Sequence, residues 1–417
     1  MLTATLASND IEVAESLIVG LMLVAALVAI VVSRVRVPYT IALVVVGLGL
    51  GLSGVFDAID LTSELILLVF LPPLLFEGAV NMDASVLLLR WRQVAVLAVA
   101  GTLISAGVIA GVLVLVPGMA AELAFVLAVM LAPTDPISVL AILKEHGVEV
   151  GLRTLLEGES IFNDALAIVL YVIAVEIAFG QGSVTATHIL GEFLTEVSVG
   201  VAVGVVVGMV VHRLMMVLDD HLVEITLSLV AAYGSYLTAD RLGGSGVIAV
   251  VGAALLIGNY SPGQSMSTSS RAVMIDFWEV LAFLANSALF LLIGLEFDVS
   301  DLRGRTLVAT LAAIVAMQAG RAVTTFGLLL PFRRSATAPV PGAWRPAAFW
   351  GGLRGSIPIA LVLGLPQRRF AGIDAVTVVF GVVLFSLLVQ GLTYRPLLER
   401  LGLTQPVGPR PVGPAST

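Results

Sequence analysis

A series of long apolar runs along almost the whole chain constrains the fold more than any other feature of this sequence. A helix needs about 20 mostly apolar residues to cross the ~30 Å hydrocarbon core of a bilayer. Thirteen runs approach that length, at residues 15–33, 38–55, 62–80, 93–116, 122–143, 155–179, 189–217, 222–240, 245–259, 273–296, 306–331, 346–365 and 374–393. We therefore predict an all-α polytopic membrane protein with about 13 transmembrane helices surrounded by membrane lipids.

The composition agrees with this fold class. Of the 417 residues, 59% are hydrophobic and 12% are charged, whereas roughly a quarter of a soluble domain is charged. A soluble protein is excluded, and no nucleic-acid partner is expected. Cysteine is absent, which excludes disulfides, thiolate metal sites and cysteine nucleophiles. The four histidines lie at or near predicted helix ends, so no resident metal or other cofactor is expected.

Basic residues flank the predicted helices unevenly, which predicts the orientation of the chain. With the N-terminus outside, the inside segments hold fourteen basic residues and the outside segments five. The inside set is Arg34, Arg36, Arg90, Arg92, Lys144, Arg153, Arg213, Arg271, Arg333, Arg334, Arg345, Arg395, Arg400 and Arg410, and the outside set is Arg241, Arg303, Arg305, Arg368 and Arg369. We expect a multi-pass protein of the plasma (inner) membrane with a cytoplasmic C-terminus.

Two predicted helices are interrupted. The fifth contains APTDP at residues 132–136, and the twelfth contains GGLRGSIP at residues 351–358. Proline removes a backbone donor and glycine relaxes the chain, so both helices should break here. The two run in opposite directions, which is typical of inverted repeats, with helices 1–6 matched to 8–13 and helix 7 as a linker. We predict two crossed discontinuous helices; the alternative is two independent proline kinks.

Each break also carries a charge, Asp135 in the first and Arg354 in the second. A broken helix exposes a partially positive N-terminal end and a partially negative C-terminal end. Asp135 can compensate the former and Arg354 the latter, so crossing the helices brings a carboxylate, a guanidinium and backbone carbonyls together at mid-membrane. The alternative is a purely structural Asp–Arg pair.

The segment EGESIFND at residues 157–164 leads directly into an apolar membrane helix. Ser160 and Asp164 are four residues apart and share one helical face, as do Glu159 and Asn163. Ionisable residues on a spanning helix are costly and mark ion or proton pathways by default. A buried carboxylate needs a partner, and we predict that Glu159 pairs with Arg321 of the eleventh helix to hold the two helices in register.

Asp164 then has hydroxyl and amide neighbours, from Ser160, Asn163 and Thr134, and no assigned countercharge. Oxygen ligands suit hard cations. We predict that Asp164 binds either a monovalent cation or a proton, which is the minimum requirement of an exchanger. Glu77 follows an apolar run with two prolines and is expected to face a polar cavity; the alternative is a carboxylate that reaches the membrane interface, which is the interpretation preferred for Asp83.

Several motifs together resemble the cation:proton antiporter-1 family. They are FLPPLLFE (70–77), APTDP (132–136), EGESIFND (157–164), SGVI (245–248) with GNY (258–260), GR (320–321) and GLRGS (352–356). The resemblance covers nearly the whole chain, and the family includes NhaP-type bacterial Na⁺/H⁺ antiporters and eukaryotic sodium/proton exchangers. It implies a homodimer that works by elevator-like alternating access.

The resemblance also implies a domain division. Residues 1–80 (helices 1–3) and 222–298 (helices 8–10) would form the dimer and gate domain, 90–180 (helices 4–6) and 306–400 (helices 11–13) the core transport domain, and 189–217 the linker helix. A Pro/Gly-rich tail at 402–417 is expected to be disordered.

By motif, the ion- and proton-binding residues of the family resemble Asp164, Ser160, Asp135, Thr134 and Glu77. Asn163 resembles the residue that supports the site, Glu159 with Arg321 the structural ion pair, and Arg354 the helix-dipole compensator. The asparagine at position 163 implies electroneutral one-for-one exchange of Na⁺, or Li⁺, for H⁺. We thus expect a secondary transporter with no catalytic residues.

Three alternatives stay open from the sequence. One is a K⁺/H⁺ antiporter of the same fold, since selectivity depends on cavity size. The others are an intramembrane serine hydrolase using Ser160 and a membrane receptor that transports nothing.

Overall fold

The computed structural model describes residues 19–32, 34, 39–53, 66–135, 139–140, 142–143, 146–180, 186–217, 220–260, 267–297, 299–366, 368–370 and 372–404, and these are almost entirely helical. The helices are α1 (Val19–Val32), α2 (Tyr39–Ser53), α3 (Ile66–Val80), α4 (Ala84–Leu115), α5 (Ala121–Leu131), α6 (Val150–Phe179), α7 (Ala186–Met215), α8 (His221–Arg241), α9 (Gly246–Tyr260), α10 (Thr268–Glu296), α11 (Gly304–Ala322), α12 (Trp344–Trp350), α13 (Ser356–Leu363) and α14 (Ala375–Arg400). A π-helical turn at Val323–Leu328 continues α11.

Within the described chain, seven helices are long and apolar enough to cross a membrane, and five apolar helices are shorter. The predicted all-α polytopic class is confirmed, apart from a short hairpin that pairs β1 (Arg369–Phe370) with β2 (Ile373–Asp374). The number of crossings and the inverted repeat stay predictions. Of the predicted tail, residues 405–417 lie outside the described residues.

The predicted start of the fourth helix, at residue 93, is wrong because Arg90, Arg92 and Gln93 interrupt the apolar sequence without ending the helix. The helix begins at Ala84, and Asp83 is its N-cap. The Asp83 carboxylate accepts hydrogen bonds from the backbone N–H groups of Ser85 and Val86 and from the Ser85 hydroxyl. These bonds, above all that from the Ser85 side chain, lower the pKa of Asp83.

One group of helices packs around α9 and α10. Helix α10 lies along α2 and α3, and α9 lies along α3, α7 and α8. Small residues allow this close approach: a Cβ atom added at Gly204 of α7 would lie 2.6 Å from the carbonyl oxygen of Ala249 on α9. Close backbone packing of this kind is one of the interactions that drive helix association in membranes.

A second group surrounds the two breaks. Helix α4 packs against α5, α6 and α11, and α14 packs against α11 and α13. Apart from α7, which the resemblance assigns to the linker, the helices of the two groups are those that it assigns to the dimer and core domains, and the division into domains itself stays a prediction. The polar residues of α6 lie where the two groups meet.

Candidate functional site

Helix α6 carries its polar residues inside the protein. The helix is continuous for 30 residues, and the exposed fractions of Glu159, Ser160, Asn163 and Asp164 are 2%, 3%, 2% and 6%. Four polar side chains this deeply buried on one apolar helix require specific partners. Three of the four find partners in the first break and in α11, and Asp164 faces a cavity instead.

The first break contacts α6 through Thr134. Helix α5 ends at Leu131, and Thr134 lies in the non-helical segment that follows. Asn163 accepts a hydrogen bond from the Thr134 N–H (3.3 Å) and donates one to the Thr134 hydroxyl (3.0 Å). The Thr134 and Ser160 hydroxyls are 2.9 Å apart and hydrogen-bonded. Asn163 thus satisfies the Thr134 N–H group, which lies outside the helix because of the break. Ser160 is held next to Thr134 by the bond between their hydroxyl groups.

The two breaks cross in contact with each other. The Asp135 N–H donates to the Leu353 carbonyl oxygen at 2.7 Å. Arg354 is fully buried, and its Nη1 donates to the carbonyl oxygens of Ala132 (2.9 Å) and Pro133 (2.5 Å) at the C-terminal end of α5. The guanidinium therefore lies at the partially negative end of a half-helix, where a cation is stabilised.

Gly355 lets the Asp135 carboxylate reach the crossing. A Cβ atom at this position would lie 2.5 Å from Asp135 Oδ2, well inside van der Waals contact. The backbone N–H of Arg354, in the same segment, donates to the Ser386 hydroxyl on α14 at 2.8 Å. The second break is thus bonded to α14 through the Arg354 backbone and to the first break through the Arg354 side chain.

Glu159 and Arg321 form a buried ion pair between α6 and α11. Arg321 donates from Nη1 to Glu159 Oε1 and from Nη2 to Oε2, the latter at 2.9 Å. Its Nε and Nη2 also donate to the Ala348 carbonyl oxygen on α12, at 3.2 and 2.9 Å. The structure thus brings together the two residues that the sequence pairs, and adds α12 to the same contact.

Asp164 faces a cavity. Its side chain makes no hydrogen bond or ion pair with another residue in the described part of the chain. The cavity has a volume of about 290 Å³ and is lined by Asp164, Asp135 and Thr134 together with Glu77 of α3. Four of the five predicted ion-site residues therefore line one space, and the fifth, Ser160, is hydrogen-bonded to Thr134 at its wall.

Glu77 lies near the C-terminal end of α3, on the opposite side of this cavity. Asn81, one turn later, donates to Glu77 Oε1 at 3.1 Å and to its carbonyl oxygen at 3.0 Å. The carboxylate is thereby oriented from its own helix. Asp83, by contrast, is outside the cavity lining and serves as the α4 cap.

The cavity also contains residues that the sequence reasoning missed. Glu157, Glu279, Asn286 and Ser356 line it as well. Glu279 and Asn286 lie seven residues apart on α10, so they share a face of a mainly apolar helix. That spacing is a signal in the sequence, but it does not say which neighbour the face meets.

The site is suited to a hard monovalent ion. It offers carboxylate, hydroxyl and amide oxygens, and no cluster of three or more histidine, cysteine, aspartate or glutamate residues with metal-binding geometry occurs among the described residues. The Ser160 hydroxyl bonds to another hydroxyl, whereas a serine nucleophile needs an adjacent base. The helical fold and this buried oxygen site define a multi-pass membrane transporter.

Comparison with known proteins agrees with that class. The family model described as "Sodium/hydrogen exchanger, transmembrane" matches residues 21–400. The chain is 39% identical over 377 residues to the Na(+)/H(+) antiporter ApNhaP of Aphanothece halophytica, covering 88% of this chain and 70% of that protein. It is 35% identical over 354 residues to the Na(+)/H(+) antiporter NhaP of Pseudomonas aeruginosa, covering 83% of each. The chain belongs to the sodium/hydrogen exchanger family.

The fold has a counterpart among solved structures. The sodium proton antiporter MjNhaP1 from Methanocaldococcus jannaschii superposes with a TM-score of 0.75 at 20% identity, over 94% of this chain and 99% of that one. The predicted membership of the cation:proton antiporter-1 family is confirmed, and with it the prediction of a secondary transporter rather than an enzyme.

Proposed function

We propose that the protein exchanges Na⁺ for H⁺, with the two ions competing for Asp164. The observation that carries the proposal is the placement of Asp164: a buried carboxylate, with no ion pair or hydrogen bond to the described residues, that lines a cavity of neutral and acidic oxygens. Its relatives ApNhaP and NhaP are named as Na⁺/H⁺ antiporters, and the matched family model covers the whole site.

Competition follows from charge. A deprotonated Asp164 attracts a cation, with oxygens of Thr134, Ser160, Asp135 and Glu77 available to replace its water. A protonated Asp164 is neutral and releases it. At low pH the proton wins and no cation binds, and at high pH no proton displaces the cation, so exchange is expected to have a bell-shaped pH dependence.

The other polar residues keep this site in shape. In our proposal Glu159 and Arg321 are a structural ion pair, Arg354 compensates the dipole of α5, and Asn163 supports the first break. Each is supported by the hydrogen bonds described above. Asn163 adds no charge beside Asp164, which supports electroneutral one-for-one exchange.

We further propose a homodimer in the plasma (inner) membrane, with the core domain moving against the dimer domain in elevator fashion. The support is the position of the cavity, between α6 with the breaks on one side and α3 with α10 on the other. In the predicted orientation, the positions of Glu77 near the end of α3 and Glu157 near the start of α6 support a cavity mouth that faces the cytoplasm.

The decisive experiment is cation-dependent proton flux in proteoliposomes. Wild type should exchange H⁺ for Na⁺, and the series Na⁺, Li⁺ and K⁺ ranks the substrates. Flux should not change when the membrane potential is clamped, because one-for-one exchange moves no net charge.

Asp164→Asn should abolish exchange while the unfolding temperature stays near that of wild type, because the amide takes up no proton and carries no charge. Asp83→Asn is the matched control, since it removes a carboxylate outside the cavity and keeps the helix cap. Sodium-driven proton flux in the Asp164→Asn variant would refute the proposal.

A further inference from the structure

One face of α10 lines the ion cavity. The residues Glu279, Ala282, Phe283 and Asn286 all contribute to the lining. Their spacing of three, four and seven residues places them on a single stripe of the helix. Two of the four are polar, on a helix that otherwise reads as a membrane span.

An aromatic stack fixes this stripe relative to Glu77. The rings of Phe76 on α3 and Trp278 on α10 stack with centroids 4.2 Å apart and planes at 29°. Trp278 is fully buried, and its Nε1 donates to the Ser228 hydroxyl on α8 at 2.9 Å. Glu77 and Glu279 each follow one of the stacked residues, so both carboxylates are held at the same wall of the cavity.

The charged residues that line the cavity are all acidic. Its described lining includes five carboxylates, and no lysine, arginine or histidine is among those residues. Glu279 is exposed, and its side chain forms no ion pair or hydrogen bond with a residue in the described ranges. Its negative charge is therefore directed into the cavity solvent rather than neutralised by the protein.

Asn286 adds an independent indication of a ligand. Its Oδ1 atom is buried and accepts no hydrogen bond from any described residue. A buried amide oxygen without a donor is costly, and a cation in the cavity would satisfy it. An exposed charge at position 279 and a buried oxygen two turns further along thus form one polar track on α10.

We propose that Glu279 is a capture residue for the transported cation: it concentrates cations in the cavity and sets the apparent affinity, while Asp164 performs the exchange. Clefts lined by charges of one sign raise the local concentration of counter-ions. The proposal rests on the proposed antiport function, and it adds α10 to the helices that act on the ion.

The test compares Glu279→Gln with Asp276→Asn in proteoliposomes. Asp276 is exposed on the same helix, three residues earlier, and does not line the cavity. At low ionic strength, Glu279→Gln should raise the KM for Na⁺ about two- to fourfold with Vmax unchanged. In about 0.15 M choline chloride the increase should shrink, because the screening length falls to ~8 Å.

Asp276→Asn should leave KM near the wild-type value. The proposal is overturned if Glu279→Gln leaves KM unchanged at low ionic strength, if Asp276→Asn raises it equally, or if the effect is insensitive to salt. Wild-type protein that exchanges no cation would instead contradict the proposed function itself, so the two failures are distinguishable.

Discussion

Replacing Arg321 by methionine tests the structural role of the buried ion pair most directly. The substitution keeps a long side chain but removes the guanidinium. Glu159 then loses both of its donors, and the Ala348 carbonyl oxygen loses two more. Removing one partner of a buried pair leaves an uncompensated charge and costs about 3–5 kcal/mol.

The expected shift in unfolding temperature follows from the size of the protein. An unfolding entropy of roughly 2.1 cal/mol/K per residue gives about 0.9 kcal/mol/K for a chain of this length, so Arg321→Met should lower the midpoint by about 5 °C. Glu159→Gln should cost about 3 kcal/mol, the lower end of the same range, because it leaves the buried Arg321 charge uncompensated while the amide oxygen and the Ala348 carbonyl still accept from the guanidinium.

The double variant separates a pair from two independent residues. Arg321→Met combined with Glu159→Gln removes the lone buried carboxylate, so its loss of stability should be smaller than the sum of the two single losses by at least about 1 kcal/mol. Unfolding midpoints in detergent, followed by fluorescence-detected size exclusion, supply all four corners of the cycle. Additive effects, or an Arg321→Met midpoint within 1 °C of wild type, would refute the reasoning.

Two further predictions concern the break and the α4 cap. Gly355→Ala should lower both stability, by about 1–3 kcal/mol, and exchange in proteoliposomes, because the new methyl group meets Asp135. Gly107→Ala lies inside α4, where an added Cβ meets nothing within 4 Å, so it should lower neither. Equal losses in the two variants would contradict the assignment. Asp83→Ala should cost about 1 kcal/mol of stability and Asp83→Asn almost nothing. Folding lowers the pKa of Asp83, so the stabilisation by its carboxylate is complete above the unfolded pKa near 4 and is lost as the pH falls through the lower folded pKa. The stability of wild type relative to Asp83→Asn should therefore drop only in that acid range. A constant difference in stability from pH 7 to pH 3 would contradict this.

Hydropathy alone located the helices because each apolar run must be buried in lipid or protein. It failed at the start of α4, where Arg90, Arg92 and Gln93 interrupt the apolar sequence but not the helix, so the predicted run begins later than the helix that Asp83 caps. The β1–β2 hairpin was missed because strands of two residues are too short to show an alternation of apolar and polar side chains.

Ionisable residues inside predicted helices indicated much of the candidate site, because buried charges need partners. A carboxylate on a spanning helix needs a partner, and Arg321 lies in a predicted helix, so the Glu159 pair could be predicted without coordinates. Asp135 and Arg354 were indicated by breaks that carry charges. Glu279 and Asn286 were missed because their importance depends on which face of α10 meets the cavity, and that is decided by long-range packing such as the stack of Phe76 on Trp278.

The contacts of Arg354 have a consequence for movement. Its guanidinium belongs to one broken helix and its two carbonyl acceptors to the other. Pulling the half-helices apart would strand a buried cation and two carbonyl oxygens, at a cost of several kcal/mol. The two broken helices should therefore move as one rigid unit. We expect the ion to change sides together with that unit, while α3 and α10 move relative to it.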